Sequence, residues 1–378
     1  MSTTSNDNSY TWLTGGDQAF GLMLEAIGQA RSEVRFETYI FADGQPGQDF
    51  RSALVDACRR KVHVQVLVDG WGSLLLPSAF WEPLLRAGGE VRLFNPLSQG
   101  RISQRDHRKL LVCDAAQAFV GGFNIIPEQT GDGVTRGWRD LGLRISGPFA
   151  ATLNASFDAL WALADQRQRR LQPIGWPRKS KISFHAPATL LLSGPTVAYS
   201  SIRHALLHDF RRAAEIQIVA AYFLPVWRLR KALLRAARHG RRVQLLLAGK
   251  SDVPLARQAG RFLYSRFLRA GIEIYEYQPQ ILHTKLVRAD SAVYVGSANL
   301  DTRSLRINHE LLVRLDSAAS AVAAAGIFRE HLTHSRRIDP AAWRKERGLI
   351  EKLKEQLAYF VLVRLDPYFA RLNLRWLR

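Results

Sequence analysis

One short motif occurs twice in this chain, and it limits the possible folds more than any other feature. Each copy has a histidine, a lysine two positions later and an aspartate five positions after the lysine, and each is trailed by Gly-x-x-Asn. The first copy contains His107, Lys109, Asp114 and Asn124, and the second contains His283, Lys285, Asp290 and Asn299. Because chance rarely produces the same spacing twice, we predict an internal duplication. Two like halves packed face to face would bring both histidines, both lysines and both asparagines to one place.

The stretches around the motifs also match in order. Alternating or continuously apolar residues predict strands at 33–41 and 62–68 with a helix at 49–60 between them. The second half repeats this order, with strands at 215–223 and 242–247 around a helix at 227–239. The predicted fold class is therefore α/β, with two duplicated α/β/α sandwich halves, mixed sheets and an active site at the pseudo-two-fold interface.

Composition shifts along the chain predict four segments. The stretch between the halves is rich in arginine and proline and has no periodicity, which is typical of a linker. The segments are a first half at 1–165, a linker at 166–187, a second half at 188–335 and a basic, amphipathic C-terminal helical segment at 336–378.

The position of the motif on a strand predicts where its side chains point. Alternate side chains of an extended strand share a face, so the histidine and lysine of each copy are expected to enter the site together. The intervening Arg108 and Thr284 would point elsewhere, and their chemical difference is interpreted as a free position. Asp114 and Asp290 complete the two catalytic motifs at the strand ends, where we expect a structural role in capping the next turn.

These groups suit the chemistry of a phosphodiester. Two lysines and two asparagine amides can stabilise the charge that spreads over the equatorial oxygens of a five-coordinate phosphorus. One neutral histidine can attack phosphorus, and the other, protonated, can donate to the leaving oxygen. Ser297 could add a hydroxyl, whereas its counterpart Gly122 cannot. Each histidine needs a carboxylate on its far nitrogen, and Asp140 and Glu310 are the candidates because they follow their motifs at similar distances.

No metal and no cofactor are expected. The sequence has no Cys/His cluster at zinc spacing, no Walker-type phosphate loop and no Gly-x-Ser-x-Gly elbow. The glycine-rich loop at 127–137, which joins the first motif to Asp140, is predicted to be a mobile rim over the site.

The two motifs resemble those of the phospholipase D superfamily, and the surrounding sequence resembles its bacterial cardiolipin synthases of the short, peripheral type. The resemblance extends from Trp12 to about Leu332. The stretches that carry it, besides the motifs, lie at 37–47, 66–73, 138–148, 222–225, 251–252 and 299–304. It implies two phospholipase D-like halves without N-terminal membrane spans.

The resemblance also implies a reaction and residue roles. His107 would form a phosphohistidine, and His283 would be the general acid and base. The carboxylates would cross over, Glu310 serving His107 and Asp140 serving His283. A phosphatidyl group would pass from one phosphatidylglycerol to the glycerol hydroxyl of another, which gives cardiolipin and releases glycerol.

The charge of the chain indicates an anionic partner. Lys and Arg number 53 against 33 Asp and Glu, a net charge of +20, which fits a lipid surface or a nucleic acid. The alternative is a soluble protein from an arginine-rich proteome. No stretch convincingly interleaves basic and aromatic residues as single-strand grooves do, which disfavours nucleic acid. Residues 345–365 show helical spacing of leucines, and 368–378 are basic and aromatic, which fits a helix in an anionic headgroup layer and equally a helix docked on the core. We prefer the lipid interpretation because it agrees with the motifs.

The expected location follows from several absences in the sequence. The start has no secretory signal pattern, no run of 18 apolar residues occurs, and the two cysteines favour a reducing compartment. We therefore expect peripheral attachment to the cytoplasmic side of the inner membrane, with phosphatidylglycerol as the lipid partner. The alternative function is a phosphodiesterase or nuclease that uses water as acceptor. A non-catalytic lipid-binding protein comes third, and the oligomeric state stays open.

Overall fold

The first half of the molecule is built on one mixed seven-stranded sheet. The computed structural model describes residues 7–96, 104–164, 182, 184, 186–195 and 200–365. The strands of the first sheet are β1 (Ser9–Leu13), β2 (Glu33–Thr38), β3 (His63–Asp69), β4 (Glu90–Phe94), β5 (Leu110–Cys113), β6 (Gln117–Gly121) and β7 (Gly142–Ser146). Their order is β1-β7-β6-β5-β2-β3-β4, in which β2, β3 and β4 run parallel and the other pairs are antiparallel.

The second half repeats this sheet with one additional edge strand. Its strands are β8 (Ala188–Ser193), β9 (Glu215–Ala220), β10 (Arg242–Ala248), β11 (Glu273–Tyr277), β12 (Lys285–Ala289), β13 (Ala292–Gly296), β14 (Glu310–Asp316) and β15 (Ser335–Arg337). Their order is β15-β11-β10-β9-β12-β13-β14-β8. Apart from β15, each strand has a counterpart at the same place in the first sheet, so the predicted duplication and the α/β class are confirmed.

Helices flank both faces of each sheet. They are α1 (Gly16–Gln29), α2 (Gln45–Arg59), α3 (Glu82–Arg86), α4 (Phe149–Ala164), α5 (Ser201–Phe210), α6 (Trp227–Arg238), α7 (Pro254–Phe262), α8 (Tyr264–Leu268), α9 (Thr302–Arg306), α10 (Ala318–Thr333), α11 (Pro340–Glu346) and α12 (Leu349–Phe360), which ends in a π-helical turn (Val361–Leu365). The predicted helices at 49–60 and 227–239 correspond to α2 and α6. In both halves the helix before the motif gives way to a glycine with positive φ, Gly88 at 93° and Gly271 at 84°.

Three apolar cores hold these layers together. One lies outside the first sheet, under α1 and α2, and one lies outside the second sheet, under α5 and α6. The third contains α4, α10 and the inner faces of both sheets, so it joins the two halves. Burial of this shared core fixes the relative position of the two motif strands, β5 and β12.

The position between histidine and lysine is buried in both motifs, which corrects its interpretation as a free position. Arg108 is enclosed, with Nε 2.9 Å from Glu37 and Nη2 donating to the Ser156 hydroxyl at 2.9 Å. Thr284 is equally buried and donates to the Arg139 carbonyl at 3.1 Å. Both side chains point away from the site into the packed interior. They differ chemically because each contacts a different set of neighbours there.

The motif aspartates lie at the far ends of their strands. Asp114, at φ 54°, accepts backbone N–H groups from Arg31, Ser32 and Glu33 at 2.7–3.2 Å. Asp290, at φ 52°, accepts those of Ala214 and Glu215, both at 2.9 Å. Each aspartate thus ties the turn after the motif strand to the start of the neighbouring strand, β2 or β9.

The C-terminal helix α12 has a docked face and an exposed face. Ala358 packs against Ala259 of α7, and the buried Glu355 lies 3.6 Å from Arg261 and pairs with Arg347. The other face exposes an apolar series, Leu349, Ile350, Leu353, Leu357 and Phe360. Most of the predicted linker and the basic aromatic stretch at 368–378 lie outside the described residues.

Candidate active site

The two histidines line one cavity between the halves. It has a volume of about 650 Å³, and both motif asparagines, Asn124 and Asn299, line it with His107 and His283. Tyr39 and Trp138 form walls beside the histidines, their ring centres 4.8 Å from His107 and 5.4 Å from His283 respectively. The structure thus brings together the histidines and amides that the duplicated motif singled out.

Backbone hydrogen bonds between the halves hold each histidine in place. The His107 N–H donates to the His309 carbonyl at 3.0 Å, and the His309 N–H donates to the Arg105 carbonyl at 2.8 Å. In the same way the His283 N–H donates to the Arg139 carbonyl at 2.7 Å. These short bridges between extended segments lie just before β5 and β12. Each histidine is therefore positioned by the opposite half of the molecule.

The supporting carboxylates cross over between the halves. Nδ1 of His107 lies 3.0 Å from Oε1 of Glu310, and Nδ1 of His283 lies 2.5 Å from Oδ2 of Asp140. Glu310 and Asp140 are both fully buried. A carboxylate on Nδ1 fixes the ring tautomer and leaves Nε2 for chemistry.

The two motif lysines are buried beside the histidines. Nζ of Lys109 donates to the His107 carbonyl at 2.8 Å, and Nζ of Lys285 donates to the His283 carbonyl. Burial lowers the pKa of Lys109 to about 7; Lys285 adds to this effect and Glu310 opposes it. Burial likewise lowers the pKa of Lys285. Neither lysine is part of the cavity lining, so each would act on an anion there as a buried positive charge beside its histidine.

The histidines share this electrostatic environment. Burial lowers the pKa of His107 well below its ordinary value, and the positive charges of Lys109 and Lys285 lower it further. Burial also lowers the pKa of His283, although Asp140 opposes this shift. Glu310 responds in the opposite direction, because burial raises its pKa to about 8. A neutral His107 at neutral pH has a free lone pair and can act as a nucleophile.

Ser297 supports Glu310 and does not line the cavity, which corrects its expected role as an extra donor to the substrate. Its hydroxyl donates to Oε2 of Glu310 at 2.5 Å and accepts the Leu311 N–H at 3.0 Å. The counterpart Gly122 is required for space, because a Cβ there would lie 2.2 Å from Oδ1 of Asp140. The surroundings of the two supporting carboxylates therefore differ: Glu310 has a serine hydroxyl beside it, and Asp140 has a glycine.

Gln129 is a site residue that the sequence did not reveal. Its Nε2 donates to Asp140 at 3.2 Å and lies 3.2 Å from Nδ1 of His283, while its Oε1 accepts the Asn124 N–H at 2.7 Å. Gln129 is fully buried, although it belongs to the loop predicted as a mobile rim. Asp132 further ties that loop by accepting N–H groups from Val134 and Thr135 at 2.8 Å. The loop is therefore anchored under the site at this point.

Two absences among the described residues concern membranes and metals. No helix in this part of the chain is long and apolar enough to cross a bilayer. Across the same residues, no group of three or more His, Cys, Asp or Glu side chains is arranged to hold a metal ion.

Comparison with known proteins identifies the family. The family model described as "Cardiolipin synthase, PLD-like domain" matches residues 23–161 and 206–332, one match in each half. Cardiolipin synthase 1 of Bacillus cereus is 31% identical over 342 residues, which cover 86% of this chain and 67% of that protein. Cardiolipin synthase B of Salmonella typhi is 33% identical over 315 residues, which cover 80% of this chain and 75% of that protein.

A solved structure shares the fold. The crystal structure of phosphatidylserine synthase from Haemophilus influenzae superimposes with a TM-score of 0.72 at 14% identity, covering 96% of this chain and 94% of that one. The paired matches of the family model correspond to the two halves that the sheets define. The chain therefore belongs to the cardiolipin synthase family of phospholipase D-like proteins, and it is an enzyme of the phosphatidyltransferase type.

Proposed function

We propose that this protein makes cardiolipin by transferring the phosphatidyl group of one phosphatidylglycerol to the glycerol hydroxyl of another. The observation that carries the proposal is the convergence of His107 and His283 in one cavity, each backed by a carboxylate of the opposite half. The relatives named cardiolipin synthases support the choice of lipid substrate.

The first step forms a covalent intermediate. Nε2 of His107 attacks the phosphorus of the donor, and the bond from phosphorus to the glycerol oxygen breaks. His283, whose protonated form Asp140 stabilises, gives its proton to that oxygen, so glycerol leaves neutral. The phosphoryl oxygens carry the developing charge, which the ammonium groups of Lys109 and Lys285 stabilise.

In the second step, at the same phosphorus, His283 acts as a base and His107 becomes the leaving group. His283, now neutral, removes the proton from the glycerol hydroxyl of the acceptor, and that oxygen attacks the phosphohistidine. The bond between phosphorus and His107 breaks, and cardiolipin leaves. Water in place of the acceptor would give phosphatidic acid, and the apolar part of the cavity wall, which includes Leu224, Val253 and Leu362, supports transfer by disfavouring water near the intermediate.

The protein is further proposed to act as a peripheral protein on the cytoplasmic face of the inner membrane. Exposed apolar side chains lie on both sides of the cavity mouth. Trp71 and Val253 are half-exposed and line the cavity itself, and Leu75 nearby in the chain is 94% exposed. The exposed face of α12 ends at Phe360, two residues before Leu362, which lines the cavity. Its neighbour α6 has five basic and no acidic residues, which suits an anionic headgroup layer.

One experiment tests the reaction. Purified protein is incubated separately with phosphatidylglycerol vesicles and with single-stranded DNA, and the products are identified by mass spectrometry. The proposal expects cardiolipin and free glycerol in equal amounts from the vesicles, with intact DNA. Phosphatidic acid without cardiolipin, or cleaved DNA, would support the phosphodiesterase alternative and overturn the proposal.

A further inference from the structure

A second cationic group lies beside the two-histidine centre. Arg105 precedes His107 by two residues in an extended segment, so both side chains point to the same face, and both line the cavity. The intervening Asp106 points the other way and is fully buried. Two residues of extended chain span at most about 7 Å. This reach is comparable with that of the three-carbon glycerol unit that would join two phosphates in the product.

Arg105 is buried, and among the described residues no carboxylate contacts its guanidinium directly. It is only 6% exposed, and its guanidinium lies 4.8 Å from the ring centre of Trp71. Its Nη1 has no hydrogen-bond partner, and no carboxylate of the described residues forms an ion pair with it. Asp69 is the acid whose negative charge acts most strongly on Arg105. Its oxygens accept backbone N–H groups of Trp71, Gly72 and Asp106. A buried guanidinium left in this state costs free energy unless an anion binds it.

A second arginine approaches from the opposite half. Arg303 of α9 lines the same cavity. Burial lowers the pKa of Arg105, Asp69 and Tyr39 oppose this shift, and the positive charge of Arg303 adds to it. Two converging guanidinium groups repel each other, and a phosphodiester between them would remove this repulsion and accept their N–H groups.

The arginine pair breaks the symmetry of the duplicated site. Two residues before His283 the chain has Ile281, so the second motif offers no cation equivalent to Arg105. At this position, therefore, only the first of the two motifs carries an arginine. A reaction that joins two lipids of the same headgroup needs such a difference, because the donor and the acceptor must occupy distinct places.

We propose that Arg105 and Arg303 form an acceptor subsite that binds the phosphodiester of the second phospholipid and presents its glycerol hydroxyl to the phosphohistidine. This inference rests on the proposed function and adds the residues that select the acceptor. Trp71 acts as a positioning residue, since its ring keeps the Arg105 guanidinium beside the cavity.

The test compares two soluble acceptors that differ in the phosphodiester alone. Isotope-labelled glycerol and glycerophosphoglycerol are each offered with phosphatidylglycerol in detergent micelles, and kcat/KM is measured for both. The wild-type protein is expected to prefer glycerophosphoglycerol. In Arg105→Gln this preference should fall at least about tenfold, because charged hydrogen bonds to the phosphodiester are lost. Arg105→Lys should restore part of it.

Two further variants keep the test decisive. Arg303→Gln changes the other half and should reduce the same ratio, so the result does not depend on one variant folding. Arg59→Gln, an exposed residue of α2, is the matched control and should keep the wild-type ratio. An unchanged ratio in both Arg105→Gln and Arg303→Gln would overturn the subsite. Failure of the wild-type protein to transfer to any acceptor would instead overturn the proposed function.

Discussion

The carboxylate behind each histidine decides which ring nitrogen faces the substrate. Oδ2 of Asp140 accepts from Nδ1 of His283 and also from Nε2 of Gln129. In Asp140→Asn the amide can donate to Nδ1 and favour the wrong tautomer. We expect kcat to fall at least about 100-fold with a small change in KM. Steady-state assays of cardiolipin formation would show this. The exposed Asp158→Asn serves as control, and an undiminished kcat in Asp140→Asn would contradict the positioning role.

The lowered pKa of Lys109 predicts how activity depends on pH. With a pKa of about 7, the free enzyme loses this positive charge as the pH rises through neutrality. An anionic lipid binds the charged form more tightly, so kcat/KM should decrease above about pH 7. A guanidinium stays charged, so Lys109→Arg should move this decrease to higher pH, even with a lower maximum. If kcat/KM decreased at the same pH in the wild type and in Lys109→Arg, the decrease would belong to a titrating group other than Lys109.

Repetition explains which site residues could be predicted. The histidines, lysines and asparagines occur in both halves, and their spacing distinguishes them from chance. Gln129 and Arg105 occur in one half only, so no pattern marks them. Ser297 was found but assigned the wrong contact, because the sequence does not show that its hydroxyl turns towards Glu310. The position of Arg108 was interpreted as unconstrained because the comparison of the two motifs does not show that the side chain is buried by tertiary packing.

At the scale of elements, the aspartate at the end of each motif strand anchors a turn. Burial would raise the pKa of Asp114, but hydrogen bonds from Glu33, Ser32 and Arg31 outweigh it and lower the pKa. A lowered pKa means that the stabilisation is present above the ordinary value of 3.8 and is lost as the pH falls further.

Asp114→Asn tests this anchor. Asparagine tolerates the positive φ, so the substitution mainly removes the charge. The free energy of unfolding at pH 7 should fall by about 1–2 kcal/mol. Urea unfolding at pH 7 and near pH 3 would measure it, and the difference from wild type should shrink in acid. Asp56→Asn on α2 is the exposed control. An equal deficit at both pH values would show that the charge is not responsible.

The exposed face of α12 predicts where the protein meets the membrane. Leu353 and Leu357 are exposed, so replacing both with Asp should leave the melting temperature nearly unchanged. Vesicle binding, measured by sedimentation with anionic liposomes, should weaken at least about tenfold because two apolar side chains no longer enter the bilayer. The control is Val322→Asp, a similarly exposed residue of α10. Equal binding by wild type and the α12 variant would exclude this face.

The order of helices and strands was largely predictable because each half supports the interpretation of the other. The exact ends were less so. The strand predicted at 33–41 ends at Thr38, since the chain then turns to place Tyr39 beside His107. The helix predicted from 49 begins at Gln45, with Pro46 in its first turn. Strand β15 has no counterpart in the first half, so the duplication could not indicate it.

At the scale of the whole molecule, the two halves complete each other. The carboxylate of each histidine belongs to the opposite half, and so does its main backbone partner. Neither half alone therefore contains a complete pair of histidine and carboxylate. The shared core between the sheets holds the two sets together.

The covalent intermediate offers the most direct test that both histidines act on one phosphorus. Wild type, His107→Ala and His283→Asn are mixed with phosphatidylglycerol, denatured at alkaline pH and mapped by peptide mass spectrometry. We predict a phosphatidyl group on His107, none in His107→Ala, and slow accumulation on His107 in His283→Asn, where the departing glycerol lacks its acid. A phosphatidyl adduct that persists in His107→Ala would contradict the assigned roles, and one on a residue outside the cavity would contradict the shared site.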